Sequence, residues 1–125
     1  MSKPTEWRWP NFEPWEVACQ CGCGALPKPH AMDNLQMLRE KIGKPLVITS
    51  GMRCPAHNEK VSSTGLSGPH TTGTAFDIAV SRGLAVRLLA LALKGPWRGI
   101  GVNQKGGGRF IHLDMARKDY MIWSY

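Results

Sequence analysis

Three side chains in the second half of the sequence have the types and spacing to hold a metal. In "SGPHTTGTAFDIAV" (67–80), His70 stands seven positions before Asp77. In "RFIHLDM" (109–115), His112 stands two positions before Asp114. Two imidazoles and one carboxylate form a known catalytic zinc set, with three protein ligands and the fourth position left for water. Taken singly, each has a plainer role: a strand histidine is often structural, and an aspartate often serves a turn. The chemistry depends on the elements that bring them together.

"TAFDIAV" (74–80) alternates strictly, so Phe76, Ile78 and Val80 would face a core while Ala75, Asp77 and Ala79 face away. The same rule on 109–115 puts Ile111 and Leu113 on one face and Phe110, His112 and Asp114 on the other. The alanines beside Asp77 leave room for a substrate. Gly65, Gly68 and Gly73 give the preceding loop the freedom to carry His70 back over the sheet.

The remaining elements follow from periodicity. Leu35, Leu38 and Ile42 predict a helix over 31–42, capped by Gly43. "PLVIT" (45–49) predicts a buried strand, and 82–94 a second helix ended by "KGP". "RGIGV" (98–102) and 109–115 predict a hairpin across "NQKGGG". "SGMRCPAHN" reads as turn-rich, and 59–73 as a long loop. Residues 1–30 read as an irregular arm rich in Trp and Cys, with Trp7, Trp9 and Trp15 in its first half. The whole predicts one α+β domain over 1–125, with a small, mostly antiparallel sheet flanked by two main helices.

Sixteen Lys and Arg against nine Asp and Glu give a formal charge of +7. That favours a polyanionic partner or simply solubility, since the cations are scattered and form no run. No nucleic-acid-binding signature is present, so no nucleic-acid partner is expected. No apolar stretch reaches membrane-spanning length. The first residues lack the apolar core of a signal peptide, so synthesis in the cytoplasm is expected. A monomer is expected.

Cys19, Cys21 and Cys23 stand in a C-x-C-x-C run, and Cys54 directly follows Arg53. Cysteines two apart bridge poorly. Two arrangements stay open. Either the thiolates gather a structural zinc that pins the arm, or they are reduced thiols in a tight loop, one of them bridging to Cys54. His57 is a further candidate ligand.

"ITSGMRCPAHN", "SGPHTTGTAFDI" and "IGV" with "FIHLD" resemble, in order, the blocks of the M15 zinc peptidases. These include D-alanyl-D-alanine carboxypeptidases and phage endolysins, and they share a fold with the Hedgehog signalling domain. "FEPWEVACQCGCG" and "MIW" are similar to the branch of short wall peptidases. The resemblance implies zinc on His70, Asp77 and His112, and an oxyanion-stabilising role for Arg53. It implies hydrolysis of peptidoglycan stem peptides, carboxypeptidase-like or endolysin-like, at the bacterial cell wall; the lack of a signal-peptide pattern and the small size favour release through a separate pore. Two departures stand out. Gly68 occupies a position where many relatives carry serine. Arg109 occupies the position, three before the last histidine, where several branches carry the acidic general base. Asp114 is then the expected base, with Glu13 or Glu16 of the arm as fallbacks; orienting His112 is the alternative role for Asp114. The rival functions are a non-catalytic, zinc-containing wall-binding module of the same fold and a basic nucleic-acid binder.

Overall fold

The computed structural model describes residues 7–125; the first six residues of the expected arm lie outside that range. The apolar spacing around Leu35 becomes helix α2 (Pro29–Ile42), ended by Gly43 in the left-handed conformation at φ 68°. Helix α4 (Arg82–Leu93) buries Ala85, Leu88 and Ala92. Both helices pack their apolar stripes against one face of a five-stranded sheet. There they meet Phe76, Ile78, Ile111 and Leu113, all essentially fully buried. No helix among the described residues is long and apolar enough to cross a membrane.

The strands are β1 (Val47–Ser50), β2 (Ala75–Ala79), β3 (Gly99–Asn103), β4 (Phe110–Asp114) and β5 (Met121–Ser124), in the spatial order β1-β2-β4-β3-β5. Four of them pair antiparallel, including the expected β3–β4 hairpin. The sheet is nevertheless mixed, because β5 adds in parallel to the edge strand β3, with Gly101 opposite Trp123. The alternation of "MIWS" is too short to announce a strand alone; the open edge of β3 supplies its partner.

Two segments read as irregular are ordered. The arm contains the short helix α1 (Pro14–Val17), closed by a reciprocal capping box between Glu13 and Glu16. Trp9, Phe12 and Val17 join the main core, so the arm completes it rather than lying on it. Helix α3 (Pro55–Val61) starts at a proline with Cys54 as its N-cap, and a 3₁₀ turn (Pro69–Thr72) occupies the end of the expected long loop. Polar side chains there bond the backbone: buried Asn58 donates to the Gly65 carbonyl at 2.7 Å.

Candidate metal centre

Strand register creates the centre. Asp77 on β2 is paired directly opposite His112 on β4, so both side chains leave the same face, away from the helices. The 3₁₀ turn delivers His70 from the side. Its chain reverses at Gly73, whose φ of 75° suits glycine and which packs against the Lys28 backbone. His112 Nδ1 lies 2.9 Å from Asp77 Oδ1, and His70 Nε2 lies 3.4 Å from the same oxygen. One ligand atom from each residue falls within 4.8 Å of the others.

The other ring nitrogen of each histidine is engaged by a second partner. His70 Nδ1 faces the Gly51 carbonyl at 2.8 Å; a carbonyl only accepts, so Nδ1 carries the proton and Nε2 keeps its lone pair. His112 faces a carboxylate on each side, with Nε2 2.6 Å from Asp114 Oδ2 and Nδ1 2.9 Å from Asp77 Oδ1, so a metal at the open face would take Nδ1 in place of its proton. Outer hydrogen bonds of this kind orient metal-bound imidazoles. Two oriented lone pairs and a carboxylate oxygen on one open face are the donor set of a zinc site with a free position.

Charge follows the same geometry. Burial opposes ionisation of Asp77, but the His112 ring, and then the His70 ring, packed against its carboxyl hold it well below the usual range. Burial also opposes a charge on His112, yet the hydrogen bonds to Asp114 and then Asp77 raise its pKa. Asp114, opposed by burial, is held low by His112 and by the Arg117 guanidinium, which sits 3.2 Å away.

The centre opens into a cavity of about 310 Å³ lined by Arg53, Ser62, Thr64, Phe110, Arg117, Trp123 and Tyr125 besides the three donors. Arg53 is held in a fork. Its Nε donates to Ser50 Oγ and its Nη1 to Asn58 Oδ1, both at 3.0 Å, while Nη2 reaches Asp77 Oδ2 at 3.6 Å. Trp123 lies against the His112 ring, centroids 5.4 Å apart, and Arg117 stacks on Trp123 at 4.4 Å. Burial raises the Tyr125 phenol pKa, so its hydroxyl stays a donor.

The expected general base is placed differently. Strand alternation correctly sets Asp114 on the face of His112, but its side chain is fully buried behind the ring and lines no part of the cavity. The reason is that β3 carries glycine at the facing positions. A Cβ on Gly99 would strike the Asp114 carboxylate, and the space it leaves takes that carboxylate and Arg117. Arg109 turns back on its hairpin, donating to the Gly106 carbonyl at 3.0 Å. Glu16 lines a separate depression with Trp15 and Gln20, and neither Glu13 nor Glu16 reaches the centre's cavity. Among the described residues lining that cavity, Asp77 is the one carboxylate.

Ser50, Asn58, Arg117, Trp123 and Tyr125 escaped sequence reasoning. The period-two spacing of Trp123 and Tyr125 and the glycines at 99 and 101 were the available signals. They acquire meaning only once β5 is known to pair with β3.

A small α+β domain carrying an oriented His–Asp–His set at the floor of an open cleft has the architecture of a metal-dependent hydrolase. The sequence profile of the family described as Peptidase M15 matches residues 10–114, and the chain belongs to that family of zinc-dependent peptidases. No curated protein matches the chain.

Proposed function

We propose that the protein is a zinc metallopeptidase that hydrolyses peptide bonds in the peptide stems of bacterial peptidoglycan, acting at the cell wall. The observation that carries this reading is the shared cavity: the open face of His70, Asp77 and His112 looks into the space that the fixed Arg53 guanidinium also lines. A zinc ion held by the three donors supplies Lewis-acid activation of a water and of a carbonyl at neutral pH.

The protein groups supply orientation and charge. The Gly51 carbonyl and the Asp114 carboxylate fix the two imidazoles. Arg53, immobilised by Ser50 and Asn58, presents charge where a scissile carbonyl oxygen becomes negative, and it needs no reorganisation to do so. Asp114 acts through His112 as a positioning residue. The cations Arg53 and Arg117 and the +7 balance suit a substrate bearing free carboxylates on an anionic polymer.

Purified sacculi incubated with zinc-loaded protein should release or trim stem peptides, with the cut bond read by mass spectrometry. Intact stems after prolonged incubation with the loaded protein would sink the peptidase reading. A non-catalytic wall-binding module is the second reading. It is favoured by the restriction of cavity carboxylates to Asp77, which among the described residues leaves no separate acid at the cavity as proton acceptor. Co-sedimentation with sacculi without any soluble product selects it.

A further inference from the structure

A second group of ligating side chains lies outside the candidate centre. The sulfurs of Cys19, Cys21, Cys23 and Cys54 all fall within 4.8 Å of one another. Cys19 and Cys21 Sγ are 3.4 Å apart, and Cys21 and Cys54 Sγ 3.7 Å. These separations are far beyond a disulfide bond of about 2.05 Å. They are close to the edge of a tetrahedron of thiolates around zinc, which a Zn–S bond of about 2.3 Å sets at roughly 3.8 Å.

Local structure explains how a C-x-C-x-C run can turn its sulfurs inward. Gly22 and Gly24 take φ of 86° and 87°, in the left-handed region that glycine tolerates, so the chain folds over itself at each step. Backbone donors then face the sulfurs. The Cys54 amide donates to Cys19 Sγ at 3.3 Å and the His57 amide to Cys54 Sγ at 3.4 Å. Such bonds stabilise thiolate over thiol. His57 contributes its backbone N–H, while its ring stays out of the group.

We propose that these four cysteines bind a structural zinc ion, independent of the hydrolytic centre, that clamps the N-terminal arm to the loop carrying Arg53. The clamp acts on a loop already bracketed on every amide. Met52 N–H donates to the Val17 carbonyl at 2.9 Å, Arg53 N–H to the His70 carbonyl at 3.2 Å, and Cys54 N–H to Cys19 Sγ. Binding releases the thiol protons to solvent and leaves four thiolates on the metal, with no redox step.

The test uses the full chain purified under reducing conditions without chelator. The His70→Ala/His112→Ala double variant removes the other metal set and should still hold about one zinc per chain. Cobalt loaded into that variant should give thiolate-to-metal charge-transfer absorption, which a His–Asp site does not produce. Its thiols should resist a disulfide-exchange reagent until zinc is stripped, and amides 52–54 should then exchange faster with deuterium. Cys23→Ser in the double variant should lose the remaining zinc, and cobalt and thiol protection on the unsubstituted cysteines read the site should this variant fold poorly. A metal-free double variant whose four thiols react at once, or one containing a disulfide among these cysteines, overturns the proposal. Failure of the unsubstituted, zinc-loaded protein to cleave wall peptides while the cysteine zinc is retained counts only against the peptidase reading.

Discussion

The Asp114 carboxylate meets Nε2 of His112 at 2.6 Å, on the opposite side of the ring from Asp77, which meets Nδ1 at 2.9 Å. One imidazole thus separates a buried acid from the open face of the centre. This arrangement places Asp114 behind the His112 ring and out of the cleft.

Asp114→Asn should therefore weaken zinc binding by about 10–100-fold, the scale of losing an outer partner of a metal-bound histidine. Activity should fall with occupancy and recover at high free zinc. Zinc competition titrations and rates on the same samples check this. Full zinc occupancy with a slow rate that added zinc does not restore would instead mark Asp114 as the base.

Arg53 is predicted to act on charge that develops during reaction. Arg53→Met should keep zinc bound while lowering kcat by about 10²–10³, the usual effect of removing an oxyanion donor. Arg53→Lys should restore little, because one ammonium cannot satisfy both Ser50 and Asn58 while facing the cavity. Steady-state kinetics with matched zinc content decides the matter.

Zinc removal should invert the pH dependence of stability. In the metal-free protein the His112 pKa is raised above its ordinary 6.5. The stability it contributes is fully present below 6.5 and is lost as pH rises through the higher folded value. Zinc must displace a proton from the same imidazole, so its binding strengthens over that interval. Melting of chelator-treated and zinc-loaded samples across this window should show a gap that widens with pH. A gap that narrows with rising pH contradicts the assignment of His112 as a ligand.

Gly101→Ala tests the support from β5. An added Cβ would lie 2.6 Å from the Trp123 indole nitrogen and 2.8 Å from the Tyr125 hydroxyl. Displacing these rings should cost about 1–3 kcal/mol, as overpacking does. It should also loosen His112, since Trp123 backs that ring. Thermal melting together with zinc affinity reads both effects. Unchanged values in both would show that β5 does not brace the centre.

Local patterning alone determined a good part of this protein. Alternation over 74–80 and 109–115 separates Phe76, Ile78, Ile111 and Leu113 from Asp77 and His112, because successive strand residues point to opposite faces whatever the partner strand. The spacing of Leu35, Leu38 and Ile42, with Gly43 after them, likewise specifies a helix and its end from neighbours in the chain. Other features rest on contacts between distant segments, which no local rule contains. That Asp77 and His112 are directly opposite is a matter of register between β2 and β4. That Asp114 is sealed behind His112 depends on Gly99 of β3 making room and on Arg117 filling it. Strand β5 exists as a strand because β3 offers an unpaired edge, and only then do Trp123 and Tyr125 wall the cleft. The cysteine group shows the division most sharply. Its sequence left open both a metal and a loop of reduced thiols with one bridging to Cys54, and the fold of Gly22 and Gly24, with Cys54 arriving from beyond β1, set the sulfurs at the separations of a tetrahedron.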